Sequence, residues 1–348
     1  MTVSLKDVAE EAGVSVCTVS RVINNTYRHR VSDATRERVL SVIEKLNYEP
    51  NVSARALARK QTFLIGLLVS KLAASFMAEI VQGIQDEADK SDYSLLFYST
   101  GDDVTKEKAC FEALRRKRAD GIIYMAGASS FCGSHEGTKY LNELTGRGIK
   151  MVQLCSNHPQ LSSPYVLVDN EAGGYMATKH LLDLGHTRIA HFHEHTTREG
   201  QERYHGYKLA LDVAGVPCIP ELVERCSFDW RSGYGAMERL LNGANPPTAV
   251  FACDDMSAWG ATQAAIDRGV RVPEDVAIVG YDDLAIAEFM PTGLTTIHQP
   301  KGDLGAAAVK LLLKQIDGQQ SSNIVLQPEL VVRQSCGAYS GPRFSALA

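Results

Sequence analysis

Residues 15–24 combine side chains that suit the surface of DNA. Arg21 can donate two parallel hydrogen bonds to the O6 and N7 atoms of guanine, which discriminates that base by about 1–3 kcal/mol. Val16 and Cys17 offer small apolar surfaces of the kind that contact a thymine methyl group. The short hydrogen-bonding side chains in this stretch, which suit phosphate oxygens, are those of Ser15, Thr18, Ser20 and Asn24. The alternatives are that the serines only cap helices and that Arg21 forms a surface salt bridge.

The elements around this stretch are predicted to be three short helices. Ser4 caps the first helix, with Asp7 three positions later, and Gly13 ends it. Ser15 caps the second helix and Ser32 caps the third. The apolar positions that face inward are Val8, Ala9, Val19, Val22, Ile23, Val39, Val42, Ile43 and Leu46. Two helices joined through a glycine turn are typical of a helix-turn-helix, whose second helix lies in the major groove.

The charge is distributed unevenly along the chain. The net charge of the 348 residues is −5, which is unusual for a protein that binds a polyanion. Residues 1–62, however, contain ten lysines and arginines against seven acidic residues, whereas the remainder contains 26 against 34. We therefore expect that only the N-terminal part contacts nucleic acid.

From residue 63 onward, apolar runs alternate with amphipathic segments. The predicted strands are Leu64–Val69, Ser94–Tyr98, Gly121–Met125, Lys150–Leu154, Tyr165–Val168, Arg188–Phe192, Ala249–Cys253 and Val276–Gly280. Predicted helices between them include Met77–Lys90, Gly173–Leu184 and Ser257–Arg268. This alternation indicates an α/β fold in which helices cover both faces of parallel sheets, and the length is sufficient for two sheets. A ligand is expected where the carboxyl ends of the strands face a crevice.

Several function classes are disfavoured by what the sequence lacks. The eight cysteines are scattered without a CxxC pair, so neither a disulfide framework nor a zinc ribbon is predicted. The longest apolar run, residues 63–70, is too short for a membrane span, and the first residues contain no secretory h-region. The nucleotide-binding, nucleophile-elbow and metalloprotease motifs are also missing. We expect a cytoplasmic, nucleoid-associated protein that is neither an enzyme nor membrane-bound.

Several short motifs, in order along residues 4–335, resemble the lactose-repressor/galactose-repressor family. The blocks that carry the resemblance are Leu5-Lys6-Asp7-Val8-Ala9, Gly13-Val14-Ser15, Thr18-Val19-Ser20-Arg21-Val22-Ile23-Asn24, Val31-Ser32, Pro50-Asn51, Ala54-Arg55-Ala56-Leu57-Ala58, Val168-Asp169-Asn170, Gly173-Gly174-Tyr175, Leu184-Gly185-His186, Val272-Pro273-Glu274-Asp275-Val276, Gly280-Tyr281-Asp282-Asp283 and Leu294-Thr295-Thr296-Ile297-His298-Gln299-Pro300. Each block is short, but their ordered combination is specific.

The resemblance implies a domain organisation and a set of partners. A helix-turn-helix head over 1–46 and a hinge with a short helix over 47–62 precede a core over 63–336, and 337–348 form a loose tail. The core consists of two Rossmann-like subdomains of the periplasmic-binding-protein kind, the first over 63–163 and 293–325, the second over 164–292 and 326–336. A homodimer then presents two heads to a pseudo-palindromic double-stranded operator.

The resemblance also assigns roles to residues of the hinge. Asn51 and Arg55 are expected to contact DNA together with the head. Leu57 has no obvious core to join, and the family pattern makes it a wedge in the minor groove that kinks the duplex. The alternative is that Leu57 packs on its own core domain.

A sensor pocket follows from the same resemblance. Its expected members are Ser75 and Phe76 in the first loop of the core, with Arg203, Phe228, Asp254 and Asp282. Relatives often place an aspartate where this chain has Cys155, so one acceptor is missing or replaced. An arginine, carboxylates and an aromatic ring together suit a sugar or another small polar ring, and no further cofactor is expected. Arg198 adds a second positive charge, which favours an anionic effector, such as a sugar acid or sugar phosphate, over a neutral sugar.

The segment from His191 to His195 also departs from the family pattern. His191, His193 and His195 alternate along a predicted strand and so share one face. A metal site is conceivable there, but we expect no metal and interpret the histidines as polar residues that line the pocket. The function predicted from the whole sequence is a ligand-responsive, sequence-specific transcription repressor of carbohydrate or related metabolism. The alternative is a sugar-binding protein without a regulatory role.

Overall fold

The chain forms two units in this computed structural model, Met1–Phe63 and Leu64–Ala348. The structure describes residues 3–23, 31–48, 61–70, 75–101, 103–125 and 131–338. Most of the predicted hinge and all but two residues of the predicted tail lie outside these ranges. Asn24, Asn51, Arg55 and Leu57, which are predicted to contact DNA, also lie outside them.

The first unit contains the three predicted helices. They are α1 (Leu5–Glu11), α2 (Val16–Ile23) and α3 (Asp33–Lys45). The predicted cap of α1 is confirmed, because Ser4 Oγ accepts a hydrogen bond from the Asp7 amide while the Asp7 carboxylate accepts one from the Ser4 amide. Gly13, at φ +62°, turns the chain between α1 and α2. Val8, Val19 and Val39 are fully buried where the three helices meet, so each helix contributes one face to a single core.

The second unit consists of two α/β layers and a separate two-stranded sheet, with twelve strands and nine helices in the described ranges. The strands are β1 (Leu64–Val69), β2 (Ser94–Ser99), β3 (Gly121–Met125), β4 (Lys150–Leu154), β5 (Tyr165–Val168), β6 (Ile189–His193), β7 (Val223–Arg225), β8 (Ala249–Phe251), β9 (Ala277–Val279), β10 (Thr296–His298), β11 (Ile324–Leu326) and β12 (Glu329–Val331). The helices are α4 (Ser75–Asp89), α5 (Val104–Arg116), α6 (His135–Gly146), α7 (Asn170–Asp183), α8 (Arg198–Val213), α9 (Trp230–Leu241), α10 (Asp255–Asp267), α11 (Ile286–Phe289) and α12 (Lys301–Ile316).

The first subdomain is built on a six-stranded sheet in the order β11-β5-β4-β3-β1-β2. Every adjacent pair in it is parallel. Parallel strands that are covered on both faces are continuous apolar runs, and β3 is buried at every position. Helices α4 and α12 pack together beside this sheet.

The second subdomain is built on a four-stranded parallel sheet in the order β7-β6-β8-β9. Alternate strand residues point to opposite faces, so the sheet supports two separate cores. Phe251 and Val279 pack with α7 and α8, whereas Val250 and Ile278 pack with α9 and α10. Helix α8 therefore lies over one face with its first turn beside the carboxyl end of β6.

The strand pairing differs from the predicted subdomain boundaries in two places. The predicted second subdomain includes Tyr165–Val168, but β5 pairs with β4 and β11 in the first sheet. The predicted first subdomain includes residues 295–298, but Thr295 bridges Val279 of the second sheet, and β10 pairs with β12. An apolar run specifies a buried strand without specifying its neighbour, so the sequence pattern did not distinguish these pairings.

None of the helices in the described ranges has the length and apolar composition that a membrane span requires.

Candidate functional site

Helix α2 presents an exposed, polar-edged face at its first turn. Ser15 Oγ accepts a hydrogen bond from the Thr18 amide at 3.1 Å, which caps the helix. Val19 and Val22 point into the core of the unit and Ile23 packs against it, which leaves Val16 and Cys17 as the exposed positions of the helix. Val16 is 43% exposed and Cys17 is also exposed, although both are apolar or weakly polar. An uncovered valine at the start of a helix is available for contact with an external surface.

The other predicted DNA contacts on α2 are partly engaged within the protein. The hydroxyl oxygens of Ser15 and Thr18 lie 2.9 Å apart and hydrogen-bond to each other. Ser20 and Arg21 are half-buried and also have partners within the chain. The capping interpretation of Ser15 is thus correct, and a role of Ser15 on DNA stays a prediction.

In the core, Arg203 lies at the centre of a buried polar cluster. The residue is only 4% exposed, on the face of α8 that packs toward the second sheet. Its guanidinium donates from Nε to Asn170 Oδ1 at 3.1 Å, from Nη1 to the Cys253 carbonyl at 2.6 Å, and from Nη2 to Asp282 Oδ1 at 3.3 Å. The guanidinium carbon also lies 3.7 Å from the ring centre of Tyr281. Each nitrogen of Arg203 therefore already has an acceptor.

Asp282 is the acidic partner in this cluster. It follows β9 at φ +105°, a conformation that non-glycine residues rarely adopt. Gln299 Nε2 donates to Asp282 Oδ1 at 2.6 Å, so this oxygen receives hydrogen bonds from two residues. Burial raises the pKa of the Asp282 carboxyl above its ordinary value, and the Arg203 charge opposes that rise.

Two further aspartates lie beside Asp282. Asp254 caps α10 by accepting a hydrogen bond from the Ser257 amide at 2.8 Å. Burial, together with the nearby Asp282 charge, raises the pKa of Asp254 to about 7. Asp255 is fully buried, and burial likewise raises the pKa of its carboxyl, although Thr296 Oγ1 and the Leu284 amide donate to it. The cluster is therefore rich in acceptors.

An aromatic ring and a thiol complete the cluster. Phe228 is 40% exposed, and its ring centre lies 5.5 Å from the Arg203 guanidinium carbon. Cys155 follows β4 at φ +54°. Burial raises the pKa of the Cys155 thiol, and the charges of Glu199, Asp282 and Arg203 also act on it. The Cys155 thiol of the first subdomain is thus within the electrostatic influence of charged residues of the second.

Other predicted pocket residues are placed differently. Ser75 and Phe76 are the first residues of α4 and do not lie in a loop. Phe76 is half-buried, and the side chain of Ser75 is outside the described part of the chain. Arg198 is 40% exposed at its side chain and pairs with Glu202 at 2.6 Å. It lines a groove of about 600 Å³, which Tyr165 and Tyr175 also line. In the described residues that groove is not lined by Arg203, so the two arginines serve different surfaces.

The three histidines were predicted to line the pocket, and for His191 this is wrong. His191 is fully buried, its Nδ1 lies 3.0 Å from the Phe251 carbonyl, and its ring stacks on Tyr207 at 5.0 Å. His193 stacks on Tyr204 at 4.2 Å. Burial, with a smaller effect of the neighbouring His193, lowers the pKa of His191 to about 3, so its imidazole is neutral. No group of three or more potential ligand side chains is arranged for a metal ion within the described residues.

Sequence reasoning missed the buried polar residues that support the cluster. They are Asn170, Asp255, Gln299 and Lys301, and each is less than 10% exposed. Asn170 and Gln299 lie in blocks that carry the family resemblance; Gln299 directly follows β10, and Asn170 begins α7 two positions after β5 ends. A polar residue at the end of a buried strand was the available signal, but its partner is distant in the sequence.

Comparison with known proteins relates both units to bacterial regulators. Residues 4–51 match the family described as "Bacterial regulatory proteins, lacI family", and residues 178–336 match "Periplasmic binding protein-like domain". The chain is 39% identical over 338 residues to the HTH-type transcriptional regulator DegA of Bacillus subtilis (strain 168), covering 96% of this chain and 98% of that protein.

Solved structures give the same relationship over the full length. A Lac repressor dimer bound to operator and the anti-inducer ONPF is 31% identical, with a TM-score of 0.80, covering 97% of this chain and 99% of that chain. A complex of the transcriptional regulator CelR with cellobiose is 33% identical, with a TM-score of 0.70, covering 96% and 99%. The fold predicted from the sequence is confirmed.

Proposed function

The chain belongs to the lacI family of bacterial regulatory proteins, and from this premise we propose that it represses transcription under the control of a neutral sugar. The head binds double-stranded operator DNA through α2, and the core binds the sugar at the Arg203 cluster. Two copies of the chain present two heads to a pseudo-palindromic operator, in keeping with the dimeric, operator-bound Lac repressor.

On DNA, Val16, Cys17 and Arg21 contact base edges, and Ser15, Thr18 and Ser20 contact phosphates together with Asn24, Asn51 and Arg55. The exposure of Val16 and Cys17 supports this assignment, because neither side chain is used in the core of the unit. Leu57 enters the minor groove at the operator centre.

Ion pairing within the core favours a neutral effector. Arg203 is matched by Asp282 and two other acceptors, and Arg198 is matched by Glu202. The second positive charge that suggested a sugar acid or phosphate is thus neutralised by its neighbour. Asp254 is a further acidic side chain beside Asp282, and the aromatic ring that we assign to the ligand, that of Phe228, lies 5.5 Å from the Arg203 guanidinium carbon. Carboxylates accept from hydroxyl groups and repel anions, so the cluster suits a hydroxyl-rich, uncharged ring.

Ligand binding is coupled to DNA binding through the subdomains. Cys155 is contributed by the first subdomain, whereas Arg203, Phe228, Asp254 and Asp282 are contributed by the second. A ligand that contacts both sides favours one relative arrangement of the subdomains over the other. Such coupling is typically about 1–3 kcal/mol, and DNA changes the affinity for the sugar by the same factor.

Thermal unfolding of the full chain with matched ligands tests this proposal. D-ribose is compared with D-ribose 5-phosphate, D-glucose with D-gluconate, and cellobiose is added as a neutral disaccharide. We expect stabilisation by a neutral member, by about 2.7 kcal/mol at 100 times its Kd. Phe228→Ala abolishes that stabilisation, whereas the control Arg198→Ala retains it. Stronger stabilisation by an anionic member contradicts the charge argument, and no stabilisation by any of them contradicts the sugar assignment.

A further inference from the structure

Lys301, at the start of α12, is fully buried although it carries a charge. Its side chain is 0% exposed. The ammonium group donates to the carbonyl oxygen of Asp282 at 2.6 Å and to that of Asp283 at 2.9 Å. Its third neighbour is Glu79 Oε1 at 3.2 Å, on α4. An ammonium has three donors, and here each has one acceptor.

The two carbonyls belong to a turn whose backbone requires external support. Asp282 has φ +105° and Asp283 has φ +51°, so two consecutive non-glycine residues occupy sparsely populated conformations. Such conformations persist when the surroundings fix them from several directions. The Asp282 amide donates to the Ile297 carbonyl at 2.8 Å, and Gln299 donates to the Asp282 carboxylate. Lys301 holds the same turn from its carbonyl side, so the turn is attached to the segment that crosses between the subdomains.

Helices α4 and α12 are in backbone contact where Lys301 and Glu79 meet. A Cβ atom built on Gly83 would lie 2.2 Å from the carbonyl oxygen of Gly302. A Cβ atom built on Gly305 would lie 2.3 Å from the carbonyl oxygen of Ile80. Because no side chains separate the two helix backbones here, a shift of the first turn of α12 toward α4 must displace α4 as well. A displacement of Lys301 is therefore passed directly to α4.

We infer that Lys301 is a positioning residue, which fixes the Asp282 carboxylate in the effector cluster and connects it to α4 through Glu79. This inference rests on the proposed function, because Asp282 is there a ligand contact. A sugar that moves Asp282 then moves the start of α12, and α4 moves with it. Glu79 is 54% exposed and neutralises the buried ammonium from the solvent side.

Carboxyl titration of the full chain, without any effector, tests the positioning role. The Lys301 charge lowers the pKa of Asp282, against the larger effect of burial. The other charged or titratable neighbours of this carboxyl are Arg203, Asp254, Asp255, Tyr281 and Cys155. Carbon-13 NMR of aspartate-labelled protein, with Asp282→Asn to identify the resonance, is expected to show Asp282 titrating at higher pH in Lys301→Met than in the wild type.

Lys310→Met is the matched control, because Lys310 also lies on α12 and pairs with α4, at 3.7 Å from Glu87, but is remote from the turn. It is expected to leave the Asp282 titration unchanged. A wild-type Asp282 titration in Lys301→Met, or an equal change in Lys310→Met, overturns the positioning role.

Amide hydrogen exchange of the same proteins tests the connection to α4. Glu79→Gln leaves the bonds to the turn in place, so we expect exchange at residues 77–83 to become at least threefold faster while residues 280–285 keep the wild-type rate. Wild-type exchange at 77–83 overturns the connection. If Lys301→Met fails to fold, Glu79→Gln still tests whether Lys301 connects the turn to α4. Lys301→Arg then takes the place of Lys301→Met in the titration, and Asp282 is expected to titrate as in the wild type. If no sugar stabilises the protein but the titration and hydrogen exchange give the expected results, the sugar assignment is refuted and Lys301 remains the positioning residue of Asp282.

Discussion

Breaking the Arg203–Asp282 pair from one side should destabilise the second subdomain, and replacing both partners should cost less than the sum of the two single replacements. The side chains of Arg203 and Asp282 are only 5% and 11% exposed, with 3.3 Å between Nη2 and Oδ1. Removal of one partner of a buried pair costs about 3–5 kcal/mol, because the other charge stays buried. Gln299 still donates to the Asp282 carboxylate and the Lys301 charge still favours its ionised form, so we expect the lower end, about 3 kcal/mol, for Arg203→Met.

A double-mutant cycle measures this effect. Asp282→Asn and the double variant complete the cycle, and the two changes together should cost less than the sum of the single changes by about 1–3 kcal/mol. Urea unfolding is followed by tryptophan fluorescence, because both tryptophans, Trp230 and Trp259, lie in the second subdomain with ring centres 5.8 Å apart. At about 2–3 kcal/mol per molar urea, Arg203→Met lowers the midpoint by roughly 1 M. A midpoint within 0.2 M of the wild type, about 0.5 kcal/mol, would refute the buried-pair reasoning.

Four other predictions concern separate features. Asp254→Asn should gain roughly 2–4 kcal/mol in unfolding free energy relative to the wild type between pH 4 and pH 8. The pKa of Asp254 in the folded wild type is about 7, above the ordinary 3.8, so the wild type loses stability as pH rises through 7. Equal differences in urea midpoint at both pH values contradict this. Gly83→Ala should lower the free energy of unfolding by about 1–3 kcal/mol, because its Cβ overpacks against the α12 backbone. Gly302→Ala, whose Cβ has open space, should leave the free energy of unfolding unchanged, and thermal unfolding compares the two variants. Arg21→Ala should weaken operator binding by about 1–3 kcal/mol and random-duplex binding much less; equal losses in a titration at one salt concentration make Arg21 a phosphate contact. Leu57→Ala should reduce DNA bending in circular-permutation gels, and an unchanged bend with full affinity excludes the wedge.

Much of the fold could be predicted because its signals are local. A capping serine and a glycine turn lie within a few residues of the helices they delimit, and α1 and α3 begin where Ser4 and Ser32 predicted. Parallel strands are buried on both faces, so runs such as Leu64–Val69 were identified directly. Strands β7, β10, β11 and β12 were not predicted, because their three residues are too few for a period to be recognised, whereas β8 and β9, equally short, lie within longer apolar runs.

The site was only partly predictable because its chemistry is non-local. Arg203 and Asp282 are 79 positions apart, and nothing in either local sequence indicates that the two charges neutralise each other. Nothing in the local sequence indicates that Lys301 is buried either, because a lysine is ordinarily expected on the surface. Arg198 shows the opposite error: its partner Glu202 is one helical turn away, and the pair could have been expected from the helix spacing.

The coupling between sugar binding and operator binding is measured by the effect of the sugar on operator affinity. An operator duplex is first enriched from a random-sequence library with the wild-type protein, and its affinity is then measured by fluorescence anisotropy with and without the stabilising neutral sugar. We expect at least a fivefold change in operator affinity for the wild type, and no change for Asp282→Asn at the same sugar concentration. A sugar that binds the core and leaves the operator affinity unchanged, or a library that yields no enriched sequence, contradicts this expectation.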